Sequence, residues 1–431
     1  MTDIRALEFF SGIGGLHFGF NASGAHGSVL ESFDMNQQAN ETYKLSFGKN
    51  PVSPYTRGGK LLDDQDNRAK PLLQLLNQLE KMKSPPTYLF LENVKNFETS
   101  RSRERLVTLL HKMGYVFREC LLAPYNFGVP NDRLRYFIMA RLRSSFDKIA
   151  PSTHTPGEAT QLFVPEEEMI YTSWPLPAFV EDPKKQIEQY PFTIPEIRHF
   201  LDTDESLAKD YMLSRQLILE RPNFRFDILR PSSTRSSCFT KAYGSHHVAS
   251  GGGLLQTQKM DQQEYDFENS ESIADLGLRF FSPTEVARLH VFPLKEELNA
   301  DSPFDTTTNT NPSNEQETTT LTTVRPFNPR STQSLDGPFL QFPGKLKALQ
   351  RYKLLGNSLN VWVVAELLRG VLFADHPGYP QPIYRNAEDD IGLAVTEPSG
   401  TDDDASAKHT IKNESGSTDD TQRDPKRTKV E

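Results

Sequence analysis

The sequence predicts an α/β fold in which strands and helices alternate along a largely parallel sheet. Up to about Arg143, apolar runs of strand length alternate with segments of helical periodicity, a pattern typical of βαβ units. A glycine-rich turn follows the first predicted strand, and an acidic residue follows the second. Ligands bind beyond the carboxyl ends of the strands in such a sheet, so both features predict a binding site at that edge.

Composition limits the class of protein. The chain has 431 residues, 36% of them hydrophobic, which is enough for one large domain and a smaller one. It has no long apolar run, and its first residues lack signal-peptide character. We therefore expect no membrane span and a soluble protein in the cytoplasm, the nucleus or both. The basic segment 425–429 is a candidate nuclear import signal.

Cysteine content and charge exclude further classes. Cys120 and Cys238 are the only cysteines, too few for a disulfide framework or a four-cysteine zinc site, and we predict no metal. The formal net charge of -9 argues against a generally basic nucleic-acid binder, although a local basic face remains allowed.

Changes in composition divide the chain into four parts. Residues 1–143 form the first part of the main domain, and residues 144–275, less regular and rich in proline and aromatic residues, form a smaller region. Helical periodicity returns in residues 276–375, interrupted at about 299–338 by a Thr-, Asn- and Pro-rich insertion that we predict to be disordered. We also predict that residues 376–431 form a disordered polar tail.

The first βα unit carries the predicted cofactor site. Residues 4–10 have the pattern of a strand, residues 16–22 that of a helix, and residues 28–33 that of a second strand. The turn after the first strand lets a ligand approach the backbone, and the acidic residue after the second strand can accept hydrogen bonds from ribose hydroxyls. The candidate cofactor-binding residues are Phe10, Ser11, Gly12, Ile13, Gly14, Gly15 and Asp34.

The glycine pattern bears on which cofactor binds. Gly12-Ile13-Gly14-Gly15 lacks the third glycine of the G-x-G-x-x-G pattern that cradles a pyrophosphate. S-adenosylmethionine has no phosphate to cradle and is favoured, whereas a nicotinamide-dependent oxidoreductase is the least favoured alternative. A tight turn beside a solvated aspartate is the purely structural alternative.

Three later segments carry candidate chemistry. The apolar strand 88–91 delivers Glu92 to the binding edge, where a partly desolvated carboxyl group could hold a proton and protonate a ring nitrogen. Arg133 and Arg135 lead into another strand, whose alternation would direct both guanidinium groups to one side. Asn357 and Ser358 open an apolar helix, where they could cap it or face a ligand.

In this order, the segments resemble the cytosine-5 methyltransferase family over residues 4–143 and 230–372. Residues 235–244 are similar to the Cys-Phe-Thr signature of the eukaryotic type-2 DNA methyltransferase homologues, which methylate cytosine 38 in the anticodon loop of aspartate tRNA. The resemblance implies a Rossmann-like methyltransferase sheet, with residues 144–275 as a target-recognition domain. It also implies S-adenosylmethionine as cofactor and tRNA, or else DNA, as substrate; we expect a monomer.

The resemblance implies a role for each candidate residue. In the family, a cysteine thiolate adds to C6 of a cytosine flipped out of the nucleic acid, because C5 is not nucleophilic enough until that adduct forms. Glu92 would protonate N3, and Arg133 and Arg135 would position the base and that glutamate. Asn357 and Ser358 would hold S-adenosylmethionine together with the residues of the first βα unit.

The chain departs from the family at the nucleophile. Pro54-Tyr55-Thr56-Arg57 resembles the end of the nucleophile motif, which puts Val52 where the cysteine belongs. Relative to the family, two strands and a helix, about 30 residues, are missing before it. We therefore predict that the chain as written is inactive, and our hypothesis is an incomplete gene model or splice product. The alternative is a non-catalytic relative that binds S-adenosylmethionine or tRNA.

The missing segment affects the predicted sheet. In the strand order of the family, an absent strand lies between the first strand and the strand that ends at Glu92, and its loss leaves a gap of about 10 Å. Unpaired backbone groups beside that gap would cost about 1 to 3 kcal/mol each. We expect either that the sheet closes in a new register or that the chain folds poorly.

No other residue is a strong replacement for the nucleophile. Thr87, in a segment that mimics a Pro-Pro-Cys loop, has a hydroxyl group that is far less nucleophilic than a thiolate. Cys120 lies in the apolar strand 117–122 and is predicted to be core. Cys238 is the better thiol, although burial as a small apolar residue is favoured over a functional role.

Overall fold

The computed structural model describes residues 3–53, 70–144, 170–174, 194–203, 209–244, 251–295 and 337–373. All of these belong to one compact unit, which spans Met1–Tyr384. Most of the predicted disordered insertion and all of the predicted tail lie outside the described residues.

The first βα unit forms as the periodicity predicts. It consists of strand β1 (Ile4–Phe9), helix α1 (Gly15–Ala22), strand β2 (Gly27–Phe33) and helix α2 (Gln37–Phe47). β1 and β2 pair in parallel. The Asn36 side chain caps α2 by accepting hydrogen bonds from two backbone N–H groups of its first turn, and Gly48 ends it in the left-handed conformation.

A second sheet carries the strand that contains Glu92. Its strands are β3 (Tyr88–Val94), β4 (Tyr115–Leu122), β5 (Arg135–Leu142) and β6 (Ile170–Tyr171). Helix α3 (Lys70–Lys81) precedes β3 in the chain, and helix α4 (Arg101–Lys112) lies between β3 and β4. The strand order is β3-β5-β4-β6, and β5 runs antiparallel to both of its neighbours. The prediction of a largely parallel sheet is therefore correct for the β1–β2 and β4–β6 pairs but wrong for β5, because residues 123–134 return the chain beside β4 without an α-helical crossover.

Within the described part of the chain, β1 and β3 lie in separate sheets. β1 pairs only with β2, and β3 pairs only with β5. Of the two outcomes expected for the missing segment, closure of one sheet in a new register is not seen among these residues. Leu7 and Phe9 of β1 remain 53% and 41% exposed.

Val52 takes a place beside the end of β2. It forms a parallel bridge with Phe33, its N–H donates to the carbonyl oxygen of Ser32 at 2.7 Å, and its own carbonyl oxygen accepts from Asp34 at 3.3 Å. Its side chain is 45% exposed. The aliphatic residue at the predicted nucleophile position therefore lies next to the acidic residue of the predicted cofactor site.

The described part of the C-terminal half contributes a small sheet and five α-helices. Helix α5 (Arg215–Leu219), strand β7 (Ile228–Leu229), strand β8 (Leu254–Gln256), helix α6 (Ser270–Ala274) and strand β9 (Leu278–Arg279) precede helices α7 (Pro283–Leu289), α8 (Ala348–Gly356) and α9 (Val361–Leu367). A π-helical turn, Leu368–Leu372, continues α9. α1 packs on α9 at close range, because a Cβ on Gly19 would lie 2.4 Å from a methyl carbon of Val364.

Candidate functional site

The glycine-rich turn between β1 and α1 depends on left-handed backbone conformations. Phe10, Gly12 and Gly14 have φ angles of 58°, 53° and 87°. Glycine adopts these values without strain, whereas Phe10 does so at a cost and keeps its ring 59% exposed. The turn therefore presents backbone groups and one aromatic ring at the carboxyl edge of β1.

Asp34 fastens this turn to the end of β2. Its Oδ2 accepts a hydrogen bond from the N–H of Gly12 at 2.9 Å, and its Oδ1 accepts from the N–H of Asn36 at 2.7 Å. A carboxylate has about four lone-pair sites, so two backbone bonds leave acceptor capacity for hydroxyl groups.

The turn residues fit a nucleoside cofactor on two observations. The Oγ atom of Ser11 is buried and has no hydrogen-bond partner among the described residues, although Ser11 donates its backbone N–H to Phe33. Such an atom is satisfied when a polar ligand binds beside it. The exposed ring of Phe10 offers a face on which a flat base can stack.

The predicted Asn357–Ser358 segment reaches the same turn. A Cβ on Gly15 would lie 2.9 Å from Oγ of Ser358, so the two residues are in close contact. The expectation that Asn357 or Ser358 caps the following helix is wrong, because the side chain of Asn360 caps α9 by accepting from the N–H of Val363. Asn357 instead ends α8 with an exposed side chain.

Behind the turn lies a polar network that sequence reasoning missed. Glu8 is 2% exposed; its Oε2 accepts a hydrogen bond from Oη of Tyr43 at 2.9 Å, and its Oε1 accepts from the backbone N–H of His17 at 3.2 Å. Nδ1 of His17 lies 2.7 Å from the same tyrosine oxygen. Burial raises the pKa of Glu8 to about 8 and lowers the pKa of His17 to about 4. An acidic residue in alternation with the apolar Ile4 and Ala6 of β1 was the available signal.

Glu92 and Arg135 form an ion pair at the end of β3. Nε of Arg135 lies 3.2 Å from Oε1 of Glu92, and both side chains are mostly buried. Burial raises the pKa of Glu92, and the positive charges of Arg133 and Arg135 partly oppose that rise. The site therefore favours a carboxyl group that holds its proton more tightly than one in water.

Arg133 connects three distant segments of the chain. It precedes β5, is 4% exposed, and donates to the carbonyl oxygens of Phe239 at 3.1 Å, Gly356 at 2.9 Å and Ser358 at 2.5 Å. Arg133 lies before the first residue of β5, so strand alternation does not set the direction of its side chain, although both guanidinium groups approach the Sγ atom of Cys238. The guanidinium group of Arg133 organises the backbone of the site, and that of Arg135 is the one that meets Glu92.

The thiol of Cys238 lies against both arginines. Its Sγ atom is 3.4 Å from Nη1 of Arg133 and 3.9 Å from Nη2 of Arg135. Cys238 is only partly buried, unlike the small core residue that was favoured from the sequence, whereas Cys120 is fully buried as predicted. The segment around Cys238 packs closely against the backbone of Gly356, because a Cβ added at Gly356 would lie 2.2 Å from the carbonyl carbon of Thr240.

Two classes of feature are not found among the described residues. No helix there has both the length and the apolar character needed to cross a membrane. No cluster of three or more His, Cys, Asp or Glu side chains in that part of the chain could hold a metal ion.

Comparison with known proteins identifies the family. Residues 51–372 match the family described as C-5 cytosine-specific DNA methylase. The chain is 32% identical to a DNA (cytosine-5)-methyltransferase of Dictyostelium discoideum, over 86% of this chain and 94% of that protein. It is 30% identical to the tRNA (cytosine(38)-C(5))-methyltransferase of Mus musculus, over 85% of this chain and 93% of that protein.

A solved structure, the Dnmt2 methyltransferase of S. pombe, is similar with a TM-score of 0.58 and 27% identity, covering 86% of this chain and 98% of that one. Similar Dnmt2 structures are methyltransferases with a Rossmann-like fold, which agrees with the predicted fold class. The chain belongs to the C-5 cytosine methyltransferase family.

Proposed function

We propose that this protein is a tRNA cytosine-5 methyltransferase that uses S-adenosylmethionine and acts on an anticodon-loop cytosine, and that the chain as written is inactive because it lacks the nucleophile. The observation that carries the proposal is the arrangement around Arg133. This residue holds Ser358, which touches the glycine-rich turn, and its neighbour Arg135 pairs with Glu92. A methyl-donor site and a base-protonating carboxyl group are thereby fixed to one another.

The proposed cofactor site consists of the glycine-rich turn, Asp34 and Ser358. The unpartnered Oγ of Ser11 and the exposed ring of Phe10 support a ligand with both polar groups and a flat base. S-adenosylmethionine, when bound, supplies a methyl group that its sulfonium makes electrophilic. Asn357 is exposed beside Ser358 and completes the set predicted from the sequence.

The proposed role of Glu92 is to donate a proton to N3 of the target cytosine. The raised pKa of Glu92 supports this role, because a carboxyl group that keeps its proton can donate a hydrogen bond to an unprotonated ring nitrogen. Protonation at N3 withdraws electrons from the ring and makes C6 susceptible to a nucleophile. Arg135, 3.2 Å from Glu92, would orient the carboxyl group.

The missing nucleophile is the main departure from this function. Val52 has no group that can add to C6. In the described part of the chain, β1 and β3 each have one edge without a strand partner, and Leu7 and Phe9 are exposed on β1. Exposed apolar residues on an open strand edge support the hypothesis that a segment is missing from the sequence before Val52.

The transcript tests this hypothesis first. We expect sequencing across the codons for Phe47 to Tyr55 to reveal additional codons that encode a Pro-Cys loop. An uninterrupted read identical to the present chain would instead favour a non-catalytic relative. That alternative is supported by the cofactor turn, whose geometry does not depend on the missing segment.

The activity test compares the chain as written with the restored chain. We expect the restored chain to transfer a labelled methyl group from S-adenosylmethionine to tRNA, and the chain as written to bind S-adenosylmethionine without transfer. Glu92→Gln in the restored chain is the control, because it keeps the size of the side chain but cannot donate a carboxyl proton. Duplex DNA of matched length decides between the two nucleic acids. Methyl transfer by the unaltered chain at a normal rate would refute the proposal.

Location and assembly complete the proposal. We propose a monomer in the cytoplasm, the nucleus or both. Light scattering of the purified protein measures the oligomeric state. Cell fractionation of the protein with and without residues 425–429 measures its location.

A further inference from the structure

A buried histidine next to the arginine pair has no role in the proposed chemistry. His290 follows α7, is fully buried, and has its Nδ1 atom 2.9 Å from the carbonyl oxygen of Val286. A carbonyl only accepts, so Nδ1 carries the ring proton and Nε2 is left with a free lone pair. Among the described residues, Nε2 of His290 has no hydrogen-bond partner.

Arg133 has a buried hydrogen-bond donor without a partner among the described residues. Its two terminal nitrogens are engaged by carbonyl oxygens and by the thiol of Cys238, but its Nε–H is buried and has no partner in the described part of the molecule. A buried donor or acceptor without a partner costs about 1 to 3 kcal/mol. Nε–H of Arg133 is a donor and Nε2 of His290 is an acceptor. A group that accepts a hydrogen bond from the arginine and donates one to the histidine would satisfy both atoms.

Both residues hold the same short loop, residues 356–361. Arg133 binds the carbonyl oxygens of Gly356 and Ser358, while the carbonyl oxygens of Leu289 and His290 accept from the side chain of Asn360 at 3.1 Å and from the N–H of Val361 at 2.9 Å. Burial and then the charge of Arg133 lower the pKa of His290 to about 3, which keeps the imidazole neutral. The charge of Arg133 thus acts on His290, and both residues contact the backbone of this loop.

The charges around the two atoms restrict what can bridge them. Two guanidinium groups repel a cation, and the free lone pair of a neutral imidazole repels an anion. A neutral molecule that accepts one hydrogen bond and donates another satisfies both, and water is the smallest that does.

We propose that one internal water molecule accepts a hydrogen bond from Nε–H of Arg133 and donates one to Nε2 of His290, and that His290 is thereby a positioning residue for Arg133. The water fixes the plane of the guanidinium group. That plane determines how Arg133 meets the carbonyl oxygens of Gly356 and Ser358. The inference needs neither bound cofactor nor tRNA, so it stands or falls separately from the proposed function.

High-resolution crystal structures of the full chain test the inference. We expect the wild type to show one ordered water within hydrogen-bond distance of both atoms. His290→Gln, whose side-chain oxygen can still accept, should keep the water, and His290→Leu should lose it. Val291→Gly, in the same turn, is the control and should keep the water. A wild-type structure without density between the two atoms would overturn the proposal, even if His290→Leu does not fold.

A solution measurement separates positioning from a general loss of stability. We expect a nuclear Overhauser cross-peak between Nε–H of Arg133 and a long-lived water in the wild type and in His290→Gln. His290→Leu should lose that cross-peak while the backbone amide spectrum remains folded. Retention of the cross-peak in folded His290→Leu would show that the histidine does not hold the water.

Discussion

Arg135 and Glu92 are diagonal neighbours across the β3–β5 pair, with Nε of the arginine 3.2 Å from Oε1 of the glutamate. In the register of these strands, Val94 lies opposite Arg135 and Phe137 lies opposite Glu92. Residues two positions apart share one face of the sheet, so the antiparallel register alone brings the two charged groups together. The acid of the proposed reaction is therefore positioned by the sheet itself.

Replacing Arg135 with Gln should raise the pKa of Glu92 further. Burial raises this pKa, and Arg133 and Arg135 oppose the rise, so removal of one positive charge leaves burial less opposed. Carboxyl-carbon NMR titration of the wild type and the variant measures the change. Arg235→Gln is the control, because Arg235 is mostly exposed and pairs with Asp132. A lower or unchanged Glu92 pKa in Arg135→Gln would contradict the expected electrostatic coupling.

Short-range patterns in the sequence were sufficient for the local elements near the site. The predicted strands 4–10 and 28–33 are observed as Ile4–Phe9 and Gly27–Phe33, since apolar alternation and the flanking turns define both strands. The acidic residues Asp34 and Glu92 follow from the same patterns, because each stands where a strand delivers it to the binding edge.

Long-range contacts could not be predicted in this way. The role of Arg133 depends on carbonyl oxygens of Phe239, Gly356 and Ser358, which are more than one hundred positions away along the chain. The position of Cys238 follows from the same contacts. The antiparallel orientation of β5 also depends on tertiary packing, since a strand's apolar pattern is the same in either direction.

Arg133 should be among the most sensitive positions for stability. Its replacement by Met would leave the carbonyl oxygens of Phe239, Gly356 and Ser358 without their shared donor, and we expect a loss of about 3 kcal/mol of unfolding free energy. Arg133→Lys should lie between the wild type and Arg133→Met, because one ammonium group cannot reproduce the planar fork. Urea denaturation measures both. Losses within experimental error for both variants would show that the carbonyl contacts contribute little.

Gly356 should not tolerate a methyl group. A Cβ there would lie 2.2 Å from the carbonyl carbon of Thr240 and 2.3 Å from the nitrogen of Lys241, both backbone atoms that cannot rotate away. We expect Gly356→Ala to lose about 2 kcal/mol of stability in urea denaturation. Gly344→Ala is the matched control with nothing within 4 Å of the new atom, and it should be neutral or slightly stabilising. Equal effects at the two glycines would contradict the close contact.

At Val291 we expect the glycine variant to be more stable than the alanine variant, which is the reverse of the order expected at a helical position. It has a φ angle of 58°, which is strained for a β-branched residue. Val291→Gly should therefore be more stable than Val291→Ala by about 1 kcal/mol, because both remove the side chain but only glycine relieves the strain. At Leu349, exposed in α8, alanine should be better than glycine by about 1 kcal/mol. Thermal and urea denaturation of the four variants test the reversal, and alanine better at both sites would refute it.

Glu8 should make stability fall as the pH rises toward 8. Its pKa is raised from 4.5 to about 8, so between these values the folded state keeps a proton that the unfolded state has released. The stabilising contribution is complete below about pH 4.5 and is lost as the pH rises through about 8, at up to about 1.4 kcal/mol per pH unit. Glu8→Gln cannot titrate, so its stability should fall less steeply with pH in this window.

His17, in the same network, acts in the other direction. Its pKa is lowered from 6.5 to about 4, so stability is lost as the pH falls from about 6.5 through about 4. Between about pH 4.5 and 6.5 the two contributions oppose each other, whereas in the alkaline limb, from about pH 6.5 to 8, only that of Glu8 acts. Urea denaturation at intervals from pH 4 to pH 9 should therefore show, in Glu8→Gln, a flatter alkaline limb and a steeper loss of stability below about pH 6.5. Glu264→Gln, at an exposed position, is the control and should follow the wild type throughout. If the alkaline limb of Glu8→Gln is as steep as that of the wild type, the proton is not held on Glu8.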